Sequence, residues 1–379
     1  MSTQQPHLRF GALLVAMGLL MGSEAKANPD AAYAEELVDI VLQHCQAGDA
    51  ELAKAIRQAI LQQLQPPPEI QALLDQIVQN GCKPRLVQSP KNYTELALTM
   101  GYDDNVNQGI NANTITLGTV LKPITLLLDS DYKPASAMHT AATATYQRST
   151  GNGWVLRADV GHKQIHNYSP LNTTGMSLTA RYALKPMGID SAVQFGWSQS
   201  WLSSSPYRRT PSLDWQSTLG NPRQPWVLQA QMQQIDHSTD TTQDARIHSL
   251  GATRYIRWGQ QGITTLGAGL LYDQSHQQRA GGHRQGQSWQ VAVQHPWGKG
   301  QFQAQWSQVR WTTANDFSPG LVDHRRENQT TQLSLAYHLR LEGRSRVFME
   351  LQHKNAKDNI PLYAHTSNGL VAGWIQQWQ

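Results

Sequence analysis

Across the last three quarters of the chain, apolar residues return at every second position in segments of about 8–15 residues. Thr331, Leu333, Leu335, Tyr337, Leu339 and Leu341 share one face of such a segment, and Gln332, Ser334, Ala336, His338 and Arg340 share the other. A period of two belongs to a β-strand with one greasy and one wet side. The connections between these segments also alternate. Short ones fall at 149–153, 185–189, 220–224, 258–261, 296–300 and 342–345, and all but the last contain Pro, or Gly beside a polar residue. Long polar ones begin near Asp103, His162, Leu202, His237, Asp273, Thr312 and Lys354. Six short and seven long connections in strict alternation join fourteen strands. That is an even-stranded antiparallel transmembrane barrel, with both termini on the side of the short turns. Residues 114–128, apolar and β-prone, fall inside the first long connection. They read as an ordered hairpin within that loop, above the barrel or folded into it, rather than as a further wall strand.

The alternation also assigns faces. Val193, Phe195, Trp197 and Trp201, then Leu266, Ala268, Leu270 and Tyr272, then Phe302, Ala304 and Trp306 should face lipid. Many of the 12 Trp stand near strand ends, where interfacial girdles belong. The opposite faces, Gln301, Gln303, Gln305, Ser307 and Ser288, Gln290, Ala292, Gln294, predict a polar lumen with little charge and no ring of one sign.

Ahead of the strands the period changes to that of helices. Leu37, Ile40, Val41 and Leu42 mark a first helix, and Leu52, Ala55, Ile56, Ala59, Ile60 and Leu64 a second. After Pro66-Pro67-Pro68, Ile70, Leu73, Leu74, Ile77 and Val78 mark a third. Before these, Phe10 to Met21 form an apolar run followed by Ala25-Lys26-Ala27, a signal-peptide pattern with its cleavage site. The expected organisation is a signal peptide at 1–27, a small periplasmic helical domain and linker at 28–90, and an outer-membrane barrel at 91–379. An exported chain makes a Cys45–Cys82 disulfide the default for its 2 cysteines, with two free buried thiols as the alternative. Such a bridge would contribute roughly 3–4 kcal/mol on chain-entropy grounds.

Composition removes several function classes. Only 15% of residues are charged, and no apolar run after the N-terminus is long enough for a membrane helix. The Arg and Lys are scattered, with no basic cluster interleaved with aromatics, so nucleic acid is not expected. Asp103, Asp104, Asn105 and Asn107 could ligate calcium, but Asn and Asp at a loop start satisfy their own backbone, and no metal or other cofactor is expected. Asp236-His237-Ser238 and Asp323-His324 are chance neighbours among 14 His, and no enzyme is expected. Arg208, Arg209, Arg284, Arg325 and Arg326 stand in expected loops, either meeting lipopolysaccharide phosphates or remaining ordinary solvated charge.

The first expected strand ends in Gly101-Tyr102-Asp103-Asp104-Asn105-Val106-Asn107. A first strand ending Gly-Tyr-Asp-x-Asn-x-Asn resembles the barrel entry of the surface lipoprotein assembly modifiers. The stretch from Pro66 to Leu74 is similar to the proline-led helix before their barrels, and Gly48-Asp49-Ala50-Glu51-Leu52-Ala53 to the turn within their tetratricopeptide repeats. The resemblance implies tetratricopeptide-like periplasmic helices followed by a fourteen-stranded barrel. It implies a translocon that carries surface lipoproteins or related secreted proteins across the outer membrane, and the barrel is expected to be monomeric. The chain has about one helical repeat where that family usually has several. The polar lumen supports a second expectation, a solute or polysaccharide pore.

Overall fold

A computed structural model describes residues 38, 40–42, 45, 50–63, 68–79, 92–119, 122–150, 152–221, 224–258, 262–341 and 343–378. The chain divides into two compact units, Met1–Leu86 and Val87–Gln379. In the first, the helices Ala50–Gln63 and Pro68–Gln79 pack through Ala53, Ile56, Ile60, Ile70, Leu74 and Ile77, with Val38, Val41 and Cys45 in the same core. Arg57 Nε donates to Asp75 Oδ1 at 2.6 Å across the two helices. The expected stripes are nearly right, but Ala53 is buried where Ala55 was expected, and Leu73 stays 42% exposed.

The second unit is a closed antiparallel barrel of fourteen strands. Its wall is built from β1 (Asn92–Asp103), β4 (Ala137–Ser149), β5 (Trp154–Ile165), β6 (Thr173–Leu184), β7 (Asp190–Leu202), β8 (Ser205–Leu219) and β9 (Trp226–His237). It continues through β10 (Ala245–Trp258), β11 (Gly262–Ser275), β12 (Arg284–Trp297), β13 (Gly300–Ser318), β14 (Val322–Arg340), β15 (Ser345–Asp358) and β16 (His365–Trp378). Each strand pairs with its neighbours in the wall, and β1 pairs with β16 to close it. The six short turns lie where the sequence places them. Residues 114–128 do form a hairpin of their own, β2 (Thr114–Thr119) with β3 (Lys122–Leu127), outside the wall.

Two expected long loops are absent. After Leu202 the chain reverses through Ser203 and Ser204 alone, both at positive φ (45° and 71°), and Leu202 pairs with Ser205. Two consecutive left-handed residues make a primed hairpin turn, normally marked by Asn-Gly, so Ser-Ser leaves little trace in the sequence. After Thr312 the strands continue instead of opening. β13 and β14 run 19 residues each, shift register at Thr312/Asp316, and turn at Gly320 (φ 86°). Residues polar on both faces read as loop, yet a strand that has left the lipid has water on both sides.

Cross-strand partners share a face, so the pairing fixes inside and outside. Met100↔Ala372, Ala372↔Met349 and Met349↔Tyr337 run along the outer surface, as do Leu250↔Leu270 and Leu178↔Trp197. Met100, Met349, Leu250 and Leu270 are 56–61% exposed there. Large apolar side chains cannot stay so exposed all round a wall in water, so this surface is built for hydrocarbon. The wall satisfies its own backbone, as a membrane-spanning sheet must. Among the described residues no helix is long and apolar enough to cross a membrane, and the strands make the crossing.

Candidate functional site

The candidate site is the lumen. Following paired residues once round the wall returns to β1 about 18 residues nearer its turn end. For fourteen strands about 4.8 Å apart, that stagger tilts them about 42° and sets a backbone radius of about 14 Å. Inward side chains then leave a passage about 16 Å wide below the mouth.

Its lining is amide and hydroxyl. Gln305 pairs with Ser334, and Ser334 with Gln352; Gln229 pairs with Gln216; Gln303 pairs with Gln294. Gln305, Gln352 and Gln229 are exposed although they face inward, so the lumen is water-filled. The faces expected from β12 and β13 are therefore right. The expectation of a lumen with little charge is not. Asp159 accepts hydrogen bonds from Thr145 Oγ1 at 2.7 Å and Ser177 Oγ at 3.1 Å, and pairs with Arg157 at 2.7 Å. Asp214 accepts from Gln231 Nε2 at 2.5 Å and Ser212 Oγ at 3.3 Å. Glu95 pairs with Arg346 at 3.4 Å. These groups are spread along the sequence, and no local window shows them together.

At the loop end, charge is used to pin the mouth. Asp273 on β11 is fully buried between Arg279, at 2.8 Å, and Arg284. Arg284 also covers the Trp311 ring at 5.2 Å. Arg326 on β14 pairs with the buried Asp358 at 2.8 Å and lies 3.6 Å from the Tyr363 ring centroid. Tyr363 belongs to a short turn of 3-10 helix, Pro361–Tyr363, between β15 and β16. Leu362 of that turn joins Ile110, Ile115 and Leu128 in a small apolar cluster beneath the hairpin, so the hairpin stands at the mouth.

The Gly101–Asn107 motif has a structural task at this end. Asn105 is 2% exposed. Its Nδ2 donates to the Gly109 and Thr366 carbonyls, both at 2.9 Å, and its Oδ1 accepts from Gly109 N–H at 2.6 Å. Asp103 Oδ1 accepts from Asn105 N–H and from Ser367 Oγ, both at 2.8 Å. Asp104 accepts from Asn368 N–H and Nδ2, both at 2.7 Å. Asn107 Nδ2 donates to the Lys133 carbonyl at 2.8 Å, and its Oδ1 accepts from Ala135 N–H at 2.9 Å. The motif thus clasps both ends of loop one and latches β1 to the start of β16. Tyr102 faces outward, 43% exposed. Gly101 is required because a Cβ there would lie 2.7 Å from the His139 ring and from the Leu370 carbonyl.

The remaining expected site residues scatter. Cys45 is 5% exposed, with Sγ 3.6 Å from the Ile77 carbonyl, and its thiol is not free; its expected partner Cys82 lies outside the described residues. The five arginines expected in loops are all on strands. Arg284 and Arg326 are committed to the interior pairs above, and Arg208, opposite Ser200, faces the lumen. Arg209 faces outward, paired with Asp236 at 3.0 Å, and Arg325 is exposed on β14. Two further outward cations near the loop end escaped the sequence reading. They are Arg246, opposite Gln274, and Arg310, paired with Glu327 at 2.8 Å.

No family model matches this sequence, and no curated protein does. Solved barrels do resemble the fold. An anion-selective porin from Comamonas acidovorans matches with a TM-score of 0.40 and 8% identity, over 76% of this chain and 98% of that one. OmpT, an outer membrane protein of Vibrio cholerae, gives 0.39 and 9%, over 76% and 98%. OpdK of Pseudomonas aeruginosa, solved with vanillate, gives 0.39 and 10%, over 76% and 99%. Likenesses this distant say nothing of what this lumen admits. What stands on this chain's own geometry is a closed fourteen-stranded transmembrane barrel with a wet, polar interior.

Proposed function

We propose that this chain is an outer-membrane channel for polar solutes or polysaccharide chains. In this reading the looped end faces outside, and the turns, the helical unit and both termini face the periplasm. The observation that carries it is the lining. Glutamine amides and serine and threonine hydroxyls both donate and accept, so they replace the hydration of a hydroxyl-rich solute without binding it tightly. The test uses the full mature chain in liposomes placed in isosmotic solutions of neutral oligosaccharides of rising size. Swelling with tri- and tetrasaccharides supports the channel. Liposomes that behave as protein-free ones sink it.

A second reading, export of surface lipoproteins or related secreted proteins, is favoured by the Gly101–Asn107 motif and the helices before it, which resemble the lipoprotein assembly modifiers. A passage about 16 Å wide cannot take a folded 100-residue domain, which is about 30 Å across, so any such cargo would cross unfolded. Deletion followed by protease shaving of whole cells tests it. One surface protein should become protected while its total amount persists; an unchanged surface would exclude export.

A further inference from the structure

Five arginines on five strands, spread between positions 157 and 346, meet at one level of the lumen. At constant height each step to the next strand adds about 1.3 residues of stagger, from the total of about 18. With that correction Arg157, Arg181, Arg257, Arg340 and Arg346 lie in one layer about 9 Å deep at the turn end. They stand on β5, β6, β10, β14 and β15, spread round the wall. Alternation turns each inward. Arg157 bonds the lumen-facing Asp159, Arg346 bonds Glu95, and Arg181 shares a recess with Gln194, Asp214 and Gln231. The outer surface of the same layer carries Trp154, Tyr182, Trp226, Trp258, Trp297 and Trp378, an aromatic girdle. The ring therefore lies where the lumen opens at the membrane interface.

Its charge is not cancelled there. Glu95 and Asp190 are the carboxylates among the described lumen residues of that layer. Glu95 pairs with Arg346, and Asp190 pairs with Lys185 of the adjoining turn at 2.9 Å, so neither neutralises Arg181, Arg257 or Arg340. Asp159, Asp214 and Glu350 lie a few residues deeper, and of these Asp159 answers Arg157. Arg181, Arg257 and Arg340 form no ion pair with any described residue, and Arg181 and Arg340 are exposed. Arg340 stands directly opposite Arg346 across β14 and β15. Like charges opposite one another destabilise a sheet unless an anion lies between them. At about 0.1 M salt the Debye length, about 10 Å, exceeds the passage radius of about 8 Å, so the field of such a ring crosses it.

We propose that this arginine layer is an anion-selecting mouth, which draws solutes carrying phosphate, carboxylate or sulfate groups into the lumen from the turn side. The inference rests on the channel reading. Guanidinium groups suit it, since they stay charged at any working pH and offer paired donors to anionic oxygens.

The test is single-channel recording of the full mature chain in planar bilayers, with reversal potentials read across a potassium chloride gradient. Near 0.1 M salt, chloride should be favoured over potassium by about threefold, and near 1 M the preference should fall toward unity as screening shortens. The variant R181Q/R257Q/R340Q/R346Q should lose most of that preference while its conductance persists. Single R181Q and R340Q variants, each at an exposed position, should each lose part of it and stand in if the fourfold variant does not fold. R148Q/R254Q removes two arginines at the same end that face outward, and it should match the wild type. Added sodium phosphate should reduce chloride current in the wild type and less in the fourfold variant. A conducting wild type with no anion preference near 0.1 M overturns the mouth and leaves the channel standing. So do arginine variants with unchanged selectivity. A wild type that conducts nothing overturns both.

Discussion

Removing the amide of Asn105 should open the looped end of the β1–β16 seam without unfolding the barrel. In Asn105→Ala the Gly109 N–H and the Gly109 and Thr366 carbonyls lose the partner that sits between them at 2.6–2.9 Å. The site is closed to water, since Asn105 is 2% exposed. Gly109 N–H is left with only its longer bond to Asn107 Oδ1, at 3.3 Å, and two carbonyls each lose a donor; at about 1 kcal/mol for each weakened buried group the expected loss is about 3 kcal/mol. That corresponds to roughly a hundredfold rise in local opening, since about 1.4 kcal/mol is a factor of ten. Hydrogen exchange read by mass spectrometry reports it directly, with faster exchange expected over residues 104–113 and 366–368. Peptides from β7 to β9 serve as the internal reference and should not change. Asn105→Asp, nearly the same shape, keeps the acceptor for Gly109 N–H but turns a carboxylate toward two carbonyls, and should exchange at least as fast. Wild-type protection of residues 366–368 in both variants would refute the clasp.

Three other substitutions probe different parts of the wall. Gly101→Ala would force a methyl against the His139 ring and the Leu370 carbonyl, and should destabilise by about 1–3 kcal/mol, read as a lower denaturant midpoint on refolding into lipid. Asp273→Ala leaves Arg279, whose side chain is 6% exposed, and Arg284 without their counter-charge; a loss of about 3–5 kcal/mol should appear as new protease cleavage within residues 276–283. Leu250→Arg should cost about 2–4 kcal/mol of folding into lipid, whereas Ser249→Arg, one residue away and facing the lumen, should cost far less; a larger cost at Ser249 would mean the faces are reversed, and equal costs that they do not differ.

Much of the wall is legible in single segments because one face must be apolar and the other wet. Phe302, Ala304 and Trp306 against Gln301, Gln303 and Gln305 declare their sides before any partner is known. Turn chemistry fails where local geometry is unusual, as at Ser203-Ser204, or where a strand rises out of lipid and loses its alternation, as at Asn315 and Arg325. The site fails for another reason. Arg181 and Arg340 share a level only through stagger summed over many strands, and Asn105 meets Thr366 across 261 positions of sequence. Neither relation exists in any window of sequence. The motif itself was visible, but its task depends on the strand that closes the barrel.

That closure bears on the choice between solute passage and lipoprotein export. A lipid-anchored cargo cannot leave by the lumen alone, because its acyl chains must reach the bilayer through the wall. The natural place is the seam where the first and last strands meet, and here it is sealed. Residues 94–103 of β1 pair without interruption from Thr94↔Trp378 to Asp103↔Gly369. At about 1 kcal/mol for each ladder hydrogen bond, separating that edge costs on the order of 10 kcal/mol before lipid-exposed backbone is counted. The Asp104–Asn368 latch and the Asn105–Thr366 bond add to it at the looped end. A solute channel never opens this seam; an exporter of lipidated cargo must open it in every cycle. A cysteine pair replacing Met100 and Ala372, which face each other across the seam, separates the two. Oxidation should leave oligosaccharide flux as it was if solutes pass through the lumen. If oxidation instead stops a lipoprotein from reaching the surface, and reduction restores it, the seam moves and the lining is not the whole of the function.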